Sequence, residues 1–167
     1  PEHVSSLCTI ASSPCFMARE EESWPGIPAS VLAQFASQLQ QDLNKTIERF
    51  LAIQAMGSQT AKGDIKQLRE WVLAKPQAQF TALQQGLAML ADVDLREQTS
   101  HIKQPWLRIW GKLDGLVPRR VIKLMPVMEN TQDTMLAKAS HAPFISHTEE
   151  FITCLEEWLK STTNQHT

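Results

Sequence analysis

Apolar positions change rhythm several times along this chain. From Val4 to Ala11 (VSSLCTIA), β-branched and small residues run without clean alternation, as in a strand buried on both faces. Ser12, Ser13 and Pro14 break the run, and Arg19–Pro28, with two prolines and a glycine, reads as irregular. From Ala29 the period becomes helical. Val31, Leu32, Phe35 and Leu39 mark a first helix. Asp42 is placed to cap a second, which carries Leu43, Ile47, Phe50, Leu51 and Gln54–Ala55 and is stopped by Gly57 with Ser58. Ile65, Leu68, Trp71 and Val72 predict a third helix that ends before Pro76. Phe80, Leu83, Leu87 and Leu90 predict a fourth. Residues 29 to 91 therefore read as four amphipathic helices in succession, with no strand among them.

Asp94–Ile102 reads as a linker. A short apolar run then returns at Trp106–Trp110 and predicts a second strand. Pro118 suits the first turn of a helix over Val121–Met128. Met135–Ala139 predicts a third strand. Ser146 with Glu149 forms a capping-box pattern before a last helix, whose apolar face is Phe151, Ile152, Leu155, Trp158 and Leu159 and which runs to Lys160. The order is strand, four helices, strand, helix, strand, helix. That is part of an α/β domain with three parallel strands and a helical module inserted after a strand. Such sheets gather their chemistry at the carboxyl edge. The second predicted strand leads through Gly111 to Asp114, and the third leads to His141.

Composition narrows the class. The 167 residues give room for one good-sized core or two small ones, and five Trp and six Phe supply bulk. A formal net charge of −2 supplies no basic field, which argues against nucleic acid as a partner. No run approaches the roughly 18 apolar residues of a membrane span. Cys8, Cys15 and Cys154 are widely spaced, with no C-x-x-C, so neither a disulfide framework nor a metal site is expected and a cytoplasmic location fits. The sequence opens at Pro1, without Met, almost directly on an apolar run. Three strands alone would also leave a long edge unpaired. Both features predict a piece of a larger domain.

Asp114 and His141 suit an acid–base pair, the carboxylate orienting an imidazole that takes and returns a proton. Asp114 could equally sit in an ordinary Asp-Gly turn, and His141 could be a loop histidine bonded to backbone. His3, His101 and His166 fall in polar termini or linker, and His147 falls inside the capping-box pattern as a structural residue. A nucleophile is harder to find. None of Gly26, Gly57, Gly63, Gly86, Gly111 or Gly115 brackets a serine as G-x-S-x-G. Cys8 lies mid-strand as an inert thiol, and Ser12 and Ser13 lack an oxyanion-hole motif nearby.

These residues resemble the C-terminal part of an α/β-hydrolase. Asp94–Arg96, Ile102, Pro105, Gly111, Asp114, Val117–Pro118 and His141 all fall on that family's pattern, and the family's chain order is Ser, Asp, His. Within the family, the stretches TIASSPCF, ERFLAIQAMGSQTA, GKLDGLVPRR and SHAPFISH resemble carboxylesterases of biotin synthesis. The resemblance implies a hydrolase core over residues 1–23 and 94–167 and a helical cap over 24–93. It implies His141 as base and acid, Asp114 as its orienter, and a nucleophilic serine outside this chain. It places Phe50, Leu51, Ala52, Ile53 and Gln54, with His141, against an acyl chain, where the apolar pattern alone reads more readily as core. It also implies that Lys45, Arg49, Lys62 and Lys66 dock an acyl carrier protein; Arg69, outside that match, extends the set only by its helical spacing from Lys62 and Lys66. Read without it, these cations form a solvated face with i,i+4 partners such as Glu48 or Glu70. The implied activity is hydrolysis of the methyl ester of a carrier-bound pimeloyl chain by an intact monomeric enzyme, with no cofactor or metal. The alternatives are another cap-bearing hydrolase (a short-chain esterase, lactonase or C–C hydrolase) or a non-catalytic truncated fragment.

Overall fold

A computed structural model describes residues 3–56, 60–76 and 78–163. Its centre is β2, Trp106–Gly111, all six residues of which are buried. β1, Leu7–Ile10, and β3, Thr131–Leu136, flank it in parallel, in the order β1-β2-β3. Leu7 pairs with Trp106 and Ile10 with Ile109; Trp106 pairs with Thr131 and Gly111 with Leu136. Because side chains alternate along a strand, β2 serves two cores. Trp106 and Trp110 pack with Cys15, Trp24, Val117, Val121 and Met125 on one face. Leu107 and Ile109 pack with Leu136, Ala139, Phe151 and Trp158 on the other.

Between β1 and β2 stand α1 (Ala29–Gln41), α2 (Leu43–Ala55), α3 (Ala61–Leu73) and α4 (Phe80–Asp92), followed by the short α5 (Arg96–Thr99). The Asp42 side chain accepts from the Lys45 backbone N–H at 3.0 Å, capping α2. α1 packs on α2 and α4, and α2 packs on α3. Gly57 and Ser58 lie outside the described residues; α2 ends at Ala55, before extended Met56. The segments that lead into and out of these helices are stapled together. Cys15 bridges Asp94, the Leu95 N–H donates to Pro14 O, and Arg96 pairs with Asp94 and Glu22 at 2.6 Å while lying over the Trp24 ring.

Several expected elements are corrected. β1 is shorter than Val4–Ala11, because Ala11 takes a left-handed turn at φ 46°. β3 lies at Thr131–Leu136 rather than Met135–Ala139. It is an edge strand with exposed Gln132 and Asp133, so its polar positions mask it. Asp133 is spent on a pair with Arg108 of β2, which is only 2% exposed. The helix expected over Val121–Met128 is a 3₁₀ stretch, Arg119–Leu124; Pro126 forces Met125 into extended backbone. The capping box does not form. The chain instead makes α6, Pro143–Ser146, then α7, Thr148–Thr163, and the Ser146 hydroxyl bonds back to Ala142 O and to the His147 ring.

Candidate active site

Two loops leave the carboxyl edge of the sheet side by side. One follows β2 and carries Asp114; the other follows β3 and carries His141. Backbone bonds tie them, with Lys112 N–H donating to Leu136 O at 3.1 Å and Leu113 N–H to Ala139 O at 2.9 Å. Gly111 permits the approach. A Cβ there would stand 2.0 Å from the Ser140 carbonyl oxygen, so only glycine fits.

The turn after Gly111 buries the Asp114 side chain to 1% exposure. Its Oδ1 accepts two backbone N–H groups, from Leu116 at 2.8 Å and Val117 at 2.9 Å. Its Oδ2 stands 2.9 Å from His141 Nδ1. A carboxylate accepts only, so Nδ1 carries the proton and Nε2 keeps its lone pair. His141 is 23% exposed at its side chain. The pair is therefore a fixed carboxylate behind an imidazole whose free nitrogen can take a proton.

That imidazole lines a cavity of about 190 Å³ between the sheet edge and the inserted helices. Phe16 and Leu116 close it from the sheet side, and Phe35, Phe50, Ile53 and Leu87 from the helices. Among the described residues that line it, His141 is the one polar side chain, so the cavity suits an alkyl chain next to a proton-transfer group. The Phe35 and Phe50 rings pack at 5.6 Å.

The structure divides the five consecutive candidates on α2. Phe50 and Ile53 line the cavity with His141, whereas Leu51 and Gln54, again with Phe50, line a second groove between α2 and α3. Ala52 is exposed, away from both linings. A helix turns 100° per residue, so five neighbours cannot share one face. Gln54 also acts through its backbone, its carbonyl accepting from Ser140 and His141. Phe35 and Leu87 were read only as helix positions, and Phe16 and Leu116 carried no site role in the sequence; the four lie in separate segments, and only the fold assembles them. Lys45, Arg49, Lys62 and Lys66 are all exposed on α2 and α3. Lys66 approaches Glu70 at 4.0 Å, and Arg69 is engaged by Glu48 of the neighbouring helix at 2.7 Å, which removes it from the free cations.

The groups considered as nucleophiles are occupied elsewhere. Ser12 donates to Ile10 O and Ser13 to Cys15 O, both as local turns. Burial pushes the Cys8 thiol up, away from thiolate, and the neighbouring Cys154 adds to this. Among the described residues, no cluster of three or more His, Cys, Asp or Glu could hold a metal ion, and no helix is long and apolar enough to cross a membrane.

Comparison with solved structures matches this geometry to a fold. An esterase from Exiguobacterium antarcticum superposes with a TM-score of 0.80 at 21% identity, over 94% of this chain and 57% of that one. The chain has the α/β-hydrolase fold. A bromoperoxidase from Bacillus anthracis shares this hydrolase fold, with a TM-score of 0.76 at 16% identity over 93% of this chain and 58% of its own. No protein-family model matches. In sequence, the chain is 66% identical over 159 residues to the pimeloyl-[acyl-carrier protein] methyl ester esterase of Shewanella sp. (strain MR-7), covering 95% of this chain and 60% of the relative. It is 52% identical over 160 residues to the protein of that name from Aeromonas hydrophila, covering 62% of it. The chain thus spans about three-fifths of the length of these curated relatives.

Proposed function

We propose that this chain is the Asp–His half and the helical cap of a serine carboxylesterase that removes the methyl ester from a pimeloyl chain held on acyl carrier protein. The carrying observation is the Asp114–His141 pair, 2.9 Å apart and opening on an apolar cavity. Similarity at 66% identity to a protein named for that reaction supports the substrate. In this reading residues 1–23 and 94–167 form the core and 24–93 the cap.

The chemistry follows from the tautomer. His141 Nε2 takes the proton of a serine hydroxyl supplied by residues outside this chain, and the alkoxide adds to the ester carbonyl. Asp114 steadies the imidazolium, its other oxygen locked by two backbone donors. The C–O bond to the methoxy group then breaks, and His141 returns the proton so that methanol leaves. Water repeats the sequence on the acyl-serine and frees the carboxylate. The alkyl chain lies along Phe50 and Ile53. Lys45, Arg49, Lys62 and Lys66 steer an acidic carrier and fix its register, as rim charges do.

The test joins the part of the Shewanella relative outside the match to the N-terminus of these 167 residues and compares carrier-linked with free methyl pimelate ester. Charge reversal at Lys45 and Arg49 is expected to slow the carrier-linked substrate about tenfold or more at low salt and to spare the free ester. Equal effects on both would remove the docking assignment, and no hydrolysis of either by the folded protein would remove the esterase.

A further inference from the structure

The C-terminal turn of α2 ends against the histidine loop. The last carbonyls of a helix have no partners inside it. Here the loop supplies them. The Ser140 hydroxyl donates to Gln54 O at 2.7 Å and reaches Met56 O at 3.0 Å, one proton shared between two acceptors. The His141 backbone N–H donates to the same Gln54 O at 3.1 Å. Ser140 is 1% exposed, so no water competes for its hydroxyl. From the other side, Gly111 lies directly against the Ser140 carbonyl. The residue before the base therefore packs against the core at its carbonyl and is bonded to the cap through its side chain.

We infer that Ser140 is a positioning residue, a latch that makes the placement of His141 depend on the seating of α2. This rests on the reading of His141 as the base. The same helix presents Phe50 and Ile53 to the cavity beside His141. An acyl chain filling that cavity holds α2 down, and α2 through Ser140 holds the imidazole against Asp114. Chain binding and readiness of the base are then one event. A substrate too short to reach Phe50 leaves the latch unsupported.

Hydrogen exchange on the joined protein described above tests this without any need for turnover. In mild denaturant the His141 amide is expected to exchange together with the amides at the end of α2, and faster than those of β2. Ser140→Ala is expected to speed exchange at His141 at least tenfold. Ser140→Thr, which keeps the hydroxyl, should stay within about threefold of the parent, and α7 should be unchanged in both. A His141 amide that stays protected after α2 has opened overturns the latch. So does Ser140→Ala with exchange within twofold of the parent. If Ser140→Ala does not fold, the parent protein alone decides between these outcomes. The imidazole Nδ1–H resonance, expected to vanish in Asp114→Asn, is read separately: its absence from the parent protein counts against the Asp114–His141 pair and leaves the amide result standing.

Discussion

Asp114→Asn probes the site most sharply, because the surroundings dictate how the amide must sit. Asp114 Oδ1 accepts two backbone N–H groups, and neither donor can turn away. An asparagine must keep its carbonyl oxygen there, which aims its NH₂ at His141 Nδ1, 2.9 Å from the present Oδ2. Nδ1 then has to accept, the imidazole proton moves to Nε2, and the nitrogen facing the nucleophile loses its lone pair. The fold is barely disturbed, since both backbone bonds survive. Catalysis is not: a wrong-tautomer substitution of this kind costs about 10⁴ in kcat, or roughly 5 kcal/mol of barrier. The assay is active-site-titrated methyl ester hydrolysis by the joined protein described above, with thermal unfolding as a control. A fall in kcat of less than about tenfold, in a protein of unchanged Tm, would refute the assignment of Asp114 as the orienter.

Gly111→Ala drives a Cβ to 2.0 Å from Ser140 O, and an ordinary C···O contact of about 3.3 Å requires the histidine loop to retreat by roughly 1.3 Å. Overpacking of this kind costs about 1–3 kcal/mol, which for a chain of this size lowers Tm by about 2–12 °C. An unchanged melting curve would contradict the contact. Phe50→Ala removes one of the phenyl rings that line the cavity and should lower kcat/KM for a seven-carbon acyl ester about tenfold relative to an acetyl ester; an equal loss on both would show that Phe50 only holds the fold. Arg96 holds the Asp94 carboxyl below its ordinary 3.8 by hydrogen bonding and charge. A depressed folded-state pKa means the pair stabilises the protein above about pH 4 and that this is lost as pH falls through the lower folded value. Asp94→Asn should therefore flatten the acid limb of a stability curve and lower the plateau at neutral pH. A parallel shift at every pH would contradict it.

The inserted helices were legible in the sequence because each carries an apolar stripe at the 3.6 period, even in α4, where no residue is fully buried; Asp42 announces the second of them. β2 was legible for the opposite reason, being buried on both faces and apolar at nearly every position. The exception, Arg108, explains why β3 was misplaced. Its partner Asp133 sits in a strand whose exposed positions read as loop, and the pairing exists only once the two strands are side by side. Asp114 and His141 could be named from local pattern and resemblance, but their separation and tautomer come from the backbone donors of Leu116 and Val117. Ser140 gave no signal at all. Its acceptors lie 84 and 86 residues earlier in the chain, and they are backbone carbonyls, which carry no side-chain signature.

Labelling with a fluorophosphonate, which marks a serine only when a base activates it, measures the central claim most directly. The protein made by joining the unmatched part of the Shewanella relative to this chain should be labelled on one serine outside the 167 residues. His141→Ala should abolish labelling with the fold intact, and the 167-residue chain alone should take no label. Labelling that survives His141→Ala, or that appears on the chain alone, would contradict the assignment of Asp114 and His141 as the base side of a serine esterase.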